Sequence, residues 1–270
     1  MKSIVHVSDV HFGRSDEVVA RELFEKVGEL SPDLLVVSGD LTQRARREQF
    51  SQARSFLDQF TMPKVIVPGN HDVPLYNVIA RFAQPYKNYN EFFGEDHEPW
   101  FFDGEIAVAG VNTVRSLVFK GGRINEEQVE RLRTRLGEID DKALKIVVSH
   151  HPFDLPDNFD DDDIVGRAKK FMPALANCGA DLFLAGHLHV SAITNSSRRY
   201  NLENGRSALV IQAGTATSTR ERGQENSFNF LEYSKPMLTI KRFECSMPAQ
   251  GFHLADDEQY IQTEQGWSVV

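Results

Sequence analysis

Five short apolar segments of this chain end in the same way, and this repetition limits what the chain can fold into. Each segment has the length and β-branched content of a buried strand, and each runs into a small or turn-forming residue. Residues able to bind a metal then follow. The segments are IVHVSDVH, LLVVSGD, VIVPGNHD, IVVSHH and LFLAGHLH, and these residues are Asp9, His11, Asp40, Asn70, His71, Asp72, His150, His151, His187 and His189.

Amphipathic helical patterns separate the apolar segments. We predict strands at 3–7, 33–37, 64–68, 143–149 and 181–185, and helices at 16–30, 47–60, 125–139 (with Asn125 as N-cap) and 166–178. Continuous apolar strands that alternate with helices are typical of a sheet covered on both faces. Further strands at 207–214, 228–234 and 237–243 predict a second, partly antiparallel sheet packed on the first. The fold class is therefore α/β.

The domain organisation follows from the same pattern. We find no clean internal boundary and predict one domain over residues 1–244. The segment 245–270 has weak patterning, which leaves an arm, a lid or a disordered tail open.

The polar residues after the strands have the composition of a metal site. Ligands of open α/β sheets bind outside the carboxyl ends of the strands, so these side chains are expected to converge. They comprise carboxylates, one amide oxygen and several imidazoles without a thiolate, which suits Mn, Fe or Zn better than Ca or Mg. Seven donors exceed one tetrahedral zinc but suit two metals that share a carboxylate, roughly 3.5–4 Å apart. The glycines at 39, 69 and 186 fit a tight exit from each strand.

A simpler explanation exists for each residue taken alone. A single histidine after a strand commonly caps a turn, but that explanation would have to hold at all five strand ends. His6 and His97 fall outside the pattern, and we interpret both as structural or surface residues.

Charge and cysteine content narrow the class of protein. The chain has 270 residues and a formal net charge of −9, which weakens the case for long nucleic acid as a partner. Two cysteines do not support a disulfide framework. No apolar run approaches the ~20 residues of a transmembrane helix, and the N-terminal apolar run is too short for a signal peptide. We therefore expect a cytoplasmic protein.

In their order and form, the motifs SDVH, GDLT, GNHD, HHP and AGHLH resemble those of the calcineurin-like metallophosphoesterases, over residues 9–189. The form of the motifs is most similar to the branch that contains the bacterial class III cyclic nucleotide phosphodiesterases. The resemblance implies a four-layer αββα sandwich, with two mixed β-sheets flanked by helices. The sequence does not fix the oligomeric state, which leaves a homodimer open.

The resemblance also implies a site and a reaction. One metal ion would take Asp9, His11, Asp40 and His189. The second would take Asn70, His150 and His187, with Asp40 bridging both. The cofactors would be two divalent or mixed-valence transition metal ions (Mn, Fe or Zn). The substrate would be a small-molecule phosphate ester that contacts Asn70, His71 and His189, with His71 as a catalytic residue that binds no metal.

The implied activity is that of a dinuclear-metal-dependent phosphodiesterase. A metal-bridging hydroxide would attack a small phosphodiester, with a 3′,5′-cyclic nucleotide as one candidate. The alternative substrates for the same site are a lipid-linked pyrophosphate of the UDP-diacylglucosamine type, a glycerophosphodiester or a phosphomonoester. A scaffold that has lost catalysis is a different class of function, but no ligand position of the motifs is missing here.

Several features leave alternatives open. His151 is interpreted as a neighbour of the ligands, and Asp72 as a residue that could orient His71. Arg14 and Arg115 could reach a substrate phosphate or lie on the surface. The acidic run 157–163 is a solvated loop or a gate beside the site. Specificity is expected from loops around 74–100, 114–123 and 153–165.

Overall fold

The computed structural model describes residues 1–118, 120–156, 159–200, 202, 206–219, 224–247 and 250–270. Its helices are α1 (Glu17–Leu30), α2 (Arg47–Leu57), α3 (Val78–Ala83), α4 (Lys87–Phe93), α5 (Glu126–Gly137) and α6 (Ala168–Asn177). Its strands are β1 (Lys2–Val7), β2 (Leu34–Val37), β3 (Lys64–Ile66), β4 (Trp100–Phe102), β5 (Ile106–Val111), β6 (Leu144–Ser149), β7 (Leu182–Ala185), β8 (Ala192–Asn195), β9 (Leu209–Gln212), β10 (Asn226–Ser234), β11 (Met237–Cys245), β12 (His253–Thr263) and β13 (Gly266–Val269).

The strands form two mixed sheets. The first has the order β13-β12-β11-β10-β1-β2-β3, and the second has the order β4-β5-β6-β7-β9-β8. In the first sheet β1, β2 and β3 run parallel, and β10 pairs antiparallel with β1. In the second sheet β5, β6, β7 and β9 run parallel between two antiparallel edge strands. Each sheet therefore brings the carboxyl ends of its parallel strands to one edge.

Alternation along the strands explains the layers. Ile4 of β1 and Val148 of β6 point into a core between the two sheets, while Val5 and Val147 point outward. The outward side chains of the first sheet pack under α1 and α2, and those of the second sheet pack under α5 and α6. Each sheet is thus buried on both faces, which requires apolar residues at consecutive positions. The predicted α/β sandwich with four layers and two mixed sheets is confirmed.

The predicted elements agree with the structure where their periodicity was strong. Asp16 caps α1 by accepting from Val18 N–H and Val19 N–H, and Asn125 caps α5 in a box with Gln128. The stretch between residues 73 and 111 had no regular pattern, and it contains α3, α4, β4 and β5.

Two strands lie inside the segment that had weak patterning. β12 pairs antiparallel with β11 across the predicted boundary at residue 244, and β13 pairs with β12 at the edge of the first sheet. The sequence did not reveal these two strands, because most of β12 is exposed and has no apolar face. Among the described helices, none has the length and apolar composition needed to cross a bilayer.

Candidate metal centre

The backbone is strained where the candidate ligands lie. Asp9, His11, Asp40, His187 and His189 all have left-handed φ values, between 48° and 74°. This conformation costs a residue with a side chain roughly 1–2 kcal/mol. Backbone hydrogen bonds hold it: Asp9 N–H donates to Gly39 O at 3.1 Å and His11 N–H donates to Asp40 O at 3.0 Å. Strain of this kind clusters at functional sites, and here it coincides with the residues that the motifs predict.

Close backbone approach demands glycine at two of the strand ends. A Cβ at Gly69 would lie 2.2 Å from the backbone nitrogen of Asp40 and 2.2 Å from its Oδ1. A Cβ at Gly186 would lie 1.8 Å from Ser8 Oγ and 2.5 Å from Asp9 Oδ2. The loops from different strands therefore meet in direct contact, and glycine at these positions makes room for the carboxylates.

The first donor cluster consists of Asp9, His11, Asp40 and His189, all buried. His189 Nε2 lies 3.1 Å from Asp9 Oδ1 and 3.2 Å from His11 Nε2. His11 Nε2 lies 3.7 Å from Asp40 Oδ2. One donor atom of each residue falls within 4.8 Å of all the others, so the four could hold a metal ion.

The second donor cluster consists of Asn70, His150 and His187, and it reaches the other oxygen of Asp40. Asn70 Oδ1 lies 3.0 Å from His150 Nε2 and 3.1 Å from His187 Nδ1. His150 Nε2 lies 3.5 Å from Asp40 Oδ1. Asp40 thus presents Oδ2 to the first cluster and Oδ1 to the second, as a bridging ligand would.

Neighbouring groups fix the orientation of the donors. Ser8 Oγ–H donates to Asp9 Oδ2 at 2.6 Å, and His187 N–H donates to the same oxygen at 3.0 Å. His150 Nδ1–H donates to the carbonyl oxygen of Ser38 at 2.8 Å, which leaves the lone pair of Nε2 toward the site. Such supporting contacts orient metal ligands and select their tautomer. The sequence showed Ser8 and Ser38 only as small polar residues at strand ends, so their roles were missed.

The chemistry of the donor set fits a cation. The buried atoms Asp9 Oδ1 and His189 Nδ1 have no hydrogen-bond partner. The lone pair of His150 Nε2 faces the carboxylate of Asp40, and two such acceptors repel unless a proton or a cation lies between them. Burial lowers the pKa of His187 well below its ordinary value, which keeps this imidazole neutral and able to bind a metal.

The surroundings of Asp9 stabilise its negatively charged form. Burial by itself raises the pKa of Asp9, but its interactions with the imidazoles of His189 and His11 outweigh burial, and the pKa falls well below its ordinary value. Asp9 is therefore an anion that needs positive charge beside it. Two divalent cations would supply that charge, and the assignment of individual ligands to them remains a prediction.

His71 lies beside the donor clusters. Its backbone N–H donates to Asp40 Oδ1 at 2.8 Å, and its ring centroid is 5.0 Å from that of His11. The ring Nδ1–H donates to the carbonyl oxygen of Gln43 at 2.9 Å, so reactions at this imidazole would use Nε2. Gln43 was missed by sequence analysis, since nothing in the pattern marked the residue three positions after Asp40.

The carboxylate of Asp72, which follows His71 directly, contacts the backbone of two loops. It accepts from the backbone N–H groups of Leu41, Thr42 and Gly69 at 3.1, 2.9 and 2.9 Å. Asp72 therefore ties the loop that carries Asp40 to the loop that carries Asn70. Burial, and then the charge of Asp40, raise the pKa of Asp72 to about 7.

Three further histidines, His151, His6 and His97, have structural partners. His151 Nδ1 lies 2.8 Å from Thr113 Oγ1 and its Nε2 lies 3.0 Å from Lys120 O, so both ring nitrogens are engaged beside His187. Burial lowers the pKa of His151 to about 3. His6 is buried against Ser38, and His97 is half-buried against Asn90, in agreement with the structural interpretation.

The other residues whose roles the sequence left undecided lie in the surrounding loops. Arg115 donates to the carbonyl oxygens of Asn112 and Val114, both at 2.8 Å, and thus supports its own loop. Arg14 is exposed. In the acidic run, residues 157 and 158 lie outside the described residues. Asp161 pairs with Arg199 at 2.6 Å and Asp163 with Lys120 at 2.7 Å.

Comparison with known proteins identifies the family. A probable cyclic nucleotide phosphodiesterase of Synechococcus is 26% identical over 164 residues, which cover 56% of this chain and 58% of that protein. A probable glycerophosphodiester phosphodiesterase of Arcobacter nitrofigilis is 22% identical over 161 residues, which cover 55% of this chain and 57% of that protein. The matches thus span less than two thirds of these relatives.

A solved structure shares the fold. The purple acid phosphatase from yellow lupin seeds superposes with a TM-score of 0.71 at 12% identity, over 96% of this chain and 53% of that one. The family model described as calcineurin-like phosphoesterase matches residues 2–191, which include every residue of both donor clusters. The chain belongs to the calcineurin-like phosphoesterase family.

Proposed function

We propose that this chain is a metal-dependent phosphodiesterase that hydrolyses a small phosphodiester, with a 3′,5′-cyclic nucleotide as the first candidate. The observation that carries the proposal is the position of Asp40. Its two oxygens face two separate groups of buried donors, which suits a pair of metal ions sharing one carboxylate.

The ligands are assigned to two metal ions of Mn, Fe or Zn. Asp9, His11, Asp40 and His189 would hold one ion, and Asp40, Asn70, His150 and His187 would hold the other. When bound, the two ions would lower the pKa of coordinated water and stabilise negative charge on the phosphoryl oxygens. The chain supplies a buried and rigid frame that fixes both donor groups before substrate arrives.

His71 supplies the acid–base chemistry in this proposal. Gln43 O accepts from Nδ1–H, so Nε2 is the ring nitrogen that faces the reaction, and in the imidazolium form of His71 its Nε2–H would donate to the phosphate or to the departing alkoxide oxygen. General acid assistance of this kind is typically worth about 10²–10⁴-fold in rate. Asn70 and His189 are proposed to contact the phosphate together with His71, because both belong to the donor clusters at its side.

The substrate class is supported by the relatives and by charge. The Synechococcus relative is named for cyclic nucleotides, whose phosphate is a diester. The chain carries a net charge of −9, which disfavours long polyanions. A small anionic ester would instead be drawn to the local positive charge of the loaded metal centre.

A hydrolysis panel with Mn²⁺ tests this function. The panel contains 3′,5′-cyclic AMP, bis(p-nitrophenyl) phosphate and p-nitrophenyl phosphate. We expect the diesters to be hydrolysed faster than the monoester, and elemental analysis to find about two ions per chain. Asp40→Asn is expected to abolish activity, while the exposed control Asp257→Asn retains it. A monoester preference, or full activity of Asp40→Asn, would contradict the proposal.

A glycerophosphodiester is the second candidate, because the Arcobacter relative is named for that substrate. It requires the same site and the same bond cleavage. Adding glycerophosphoethanolamine to the panel distinguishes the two candidates, since the specificity constant kcat/KM ranks them directly.

A further inference from the structure

Large apolar side chains are exposed on the segment that follows the 3-10 turn Asn70–Asp72. Tyr76 is 78% exposed, Ile79 is 81% exposed and Phe82 is 50% exposed. Leu117, on a neighbouring loop, is 81% exposed. Single exposed apolar residues are ordinary, but several on adjoining segments mark a binding surface.

The buried side chain of Arg81 supports this exposed surface through hydrogen bonds to the backbone. The guanidinium of Arg81 donates to the carbonyl oxygens of Pro74, Ser116 and Val118 at 3.0, 2.8 and 2.8 Å. These bonds join α3 to the loop of Leu117. The exposed apolar side chains of α3 and of this loop are therefore held in place relative to each other.

A cavity of about 400 Å³ lies along α3, and we name it the α3 cavity. Its apolar lining is Ala45, Pro74, Ile79, Ala80, Ala83 and Pro85. The volume is within the range of small-molecule sites, which are mostly apolar with a few polar groups.

The walls of the α3 cavity continue the loops of the metal centre. Ala45 follows Asp40 by five residues, and Pro74 follows Asn70 by four. Ala45 has a left-handed φ of 51° and is held by Thr42 Oγ1 at 3.0 Å on its N–H and by Asn88 Nδ2 at 2.8 Å on its carbonyl oxygen. The same loops thus position both the metal donors and the cavity wall.

Positive charge lies at the rim. The Arg44 guanidinium stacks 4.9 Å from the centre of the Tyr76 ring, and Lys87 also lines the α3 cavity. The segments 41–47 and 73–90 contain no acidic residue, although the chain has a net charge of −9. An occupant that joins an apolar group to an anionic phosphate matches this combination.

We infer that the α3 cavity receives an alkyl or aryl group esterified to the phosphate, so that the substrate is a phosphodiester with one apolar arm. The phosphate lies at the metal centre and the apolar arm extends between Ala45 and Ile79. This inference rests on the proposed diester hydrolysis and, within it, favours an acyclic diester with a separate second ester group over a 3′,5′-cyclic nucleotide, whose two ester bonds close one ring.

Two diesters with the same leaving group test the inference: methyl p-nitrophenyl phosphate and octyl p-nitrophenyl phosphate, each with Mn²⁺ and below the aggregation limit of the octyl ester. We expect kcat/KM of the wild-type protein to be about tenfold higher for the octyl ester, because apolar surface enters the cavity. Ile79→Ser should lower that ratio about fivefold and leave the methyl ester unaffected.

Two further variants sharpen the comparison. Val78→Ser removes an adjacent side chain that is 55% exposed and is not among the residues lining the cavity, so both rates should stay unchanged. Ala83→Phe fills the cavity from the same helix and should lower the octyl preference as Ile79→Ser does.

The outcomes separate this inference from the proposed function. If neither ester is hydrolysed, the proposed function fails and the inference fails with it. If the methyl ester is hydrolysed without any octyl preference, or if Ile79→Ser slows both esters equally, only the inference is overturned. Sedimentation of the wild-type protein and of Ile79→Ser provides another check: a dimer that becomes a monomer would mean that a second copy of the chain covers this surface, and would overturn the inference. The inference is also overturned if the octyl ester is preferred only when phosphatidylglycerol vesicles are added, because the surface would then bind a membrane.

Discussion

Replacing Gly186 by alanine tests whether close packing of the strand-end loops positions the metal ligands. A Cβ at this position would lie 1.8 Å from Ser8 Oγ and 2.5 Å from Asp9 Oδ2. Real Cβ atoms essentially never approach another atom closer than 3.0 Å, so Ser8 Oγ must retreat by at least 1.2 Å, which is 3.0 minus 1.8. Asp9 Oδ2, at 2.5 Å, must also shift by at least 0.5 Å, and the retreat of Ser8 Oγ disturbs the hydrogen bond that it donates to this oxygen.

The size of the effect follows from this displacement. A misplacement of about 1 Å in a catalytic group can cost about 10²-fold in rate. That factor corresponds to about 3 kcal/mol of transition-state stabilisation. Disturbing a residue that supports a ligand weakens metal affinity about 10–100-fold. We therefore expect Gly186→Ala to lower kcat/KM about 100-fold and to weaken metal binding, while overpacking lowers the unfolding free energy by about 1–3 kcal/mol.

Metal titration, diester hydrolysis and urea unfolding measure these three effects. The matched control is Gly28→Ala in α1, where an added Cβ meets no atom within 4 Å. That control should stabilise the helix by up to about 1 kcal/mol and leave activity unchanged. Adding Ser8→Ala to Gly186→Ala removes the closest contact and should restore part of the metal affinity.

Two results would refute the reasoning. Gly186→Ala with wild-type metal affinity and activity would mean that the loops accommodate the methyl group without moving Asp9. Equal loss of activity in Gly28→Ala would mean that the effect has no connection with the site.

Three further predictions address single side chains. Asp40→Asn is expected to lose at least one of the two metal ions in elemental analysis, and retention of both would argue against a bridging carboxylate. His71→Ala should keep the metal ions but slow diesters with poor leaving groups more than those with good ones, by up to about 10²–10⁴-fold; equal slowing would exclude a general acid. Burial lowers the pKa of His6 to about 3 from 6.5, so the unfolded chain binds a proton there that the native chain does not, and the unfolding free energy falls as pH drops below about 6.5. In urea unfolding at pH 7.5 and pH 5, His6→Gln should remove about 2 kcal/mol of this loss; an equal pH dependence in the wild-type protein and the variant would contradict the assignment.

The local pattern of apolar residues along the sequence was sufficient to predict much of the fold. β1, β2, β6 and β7 are buried on both faces, so nearly every residue had to be apolar and the strands were visible as continuous runs. β12 is the opposite case. Its backbone pairs with β11, but most of its side chains face solvent, and exposure imposes no apolar period on a sequence.

The sequence by itself determined the chemistry of the site: oxygen and nitrogen donors at five strand ends, without a thiolate. It could not show which oxygen of Asp40 faces which donors, or that His187 N–H holds Asp9 across 178 residues. It also could not show that Gln43 holds the ring of His71 or that Asp72 ties two loops together. These relations depend on strand order and on left-handed turns fixed by long-range contacts, so only the tertiary structure decided them.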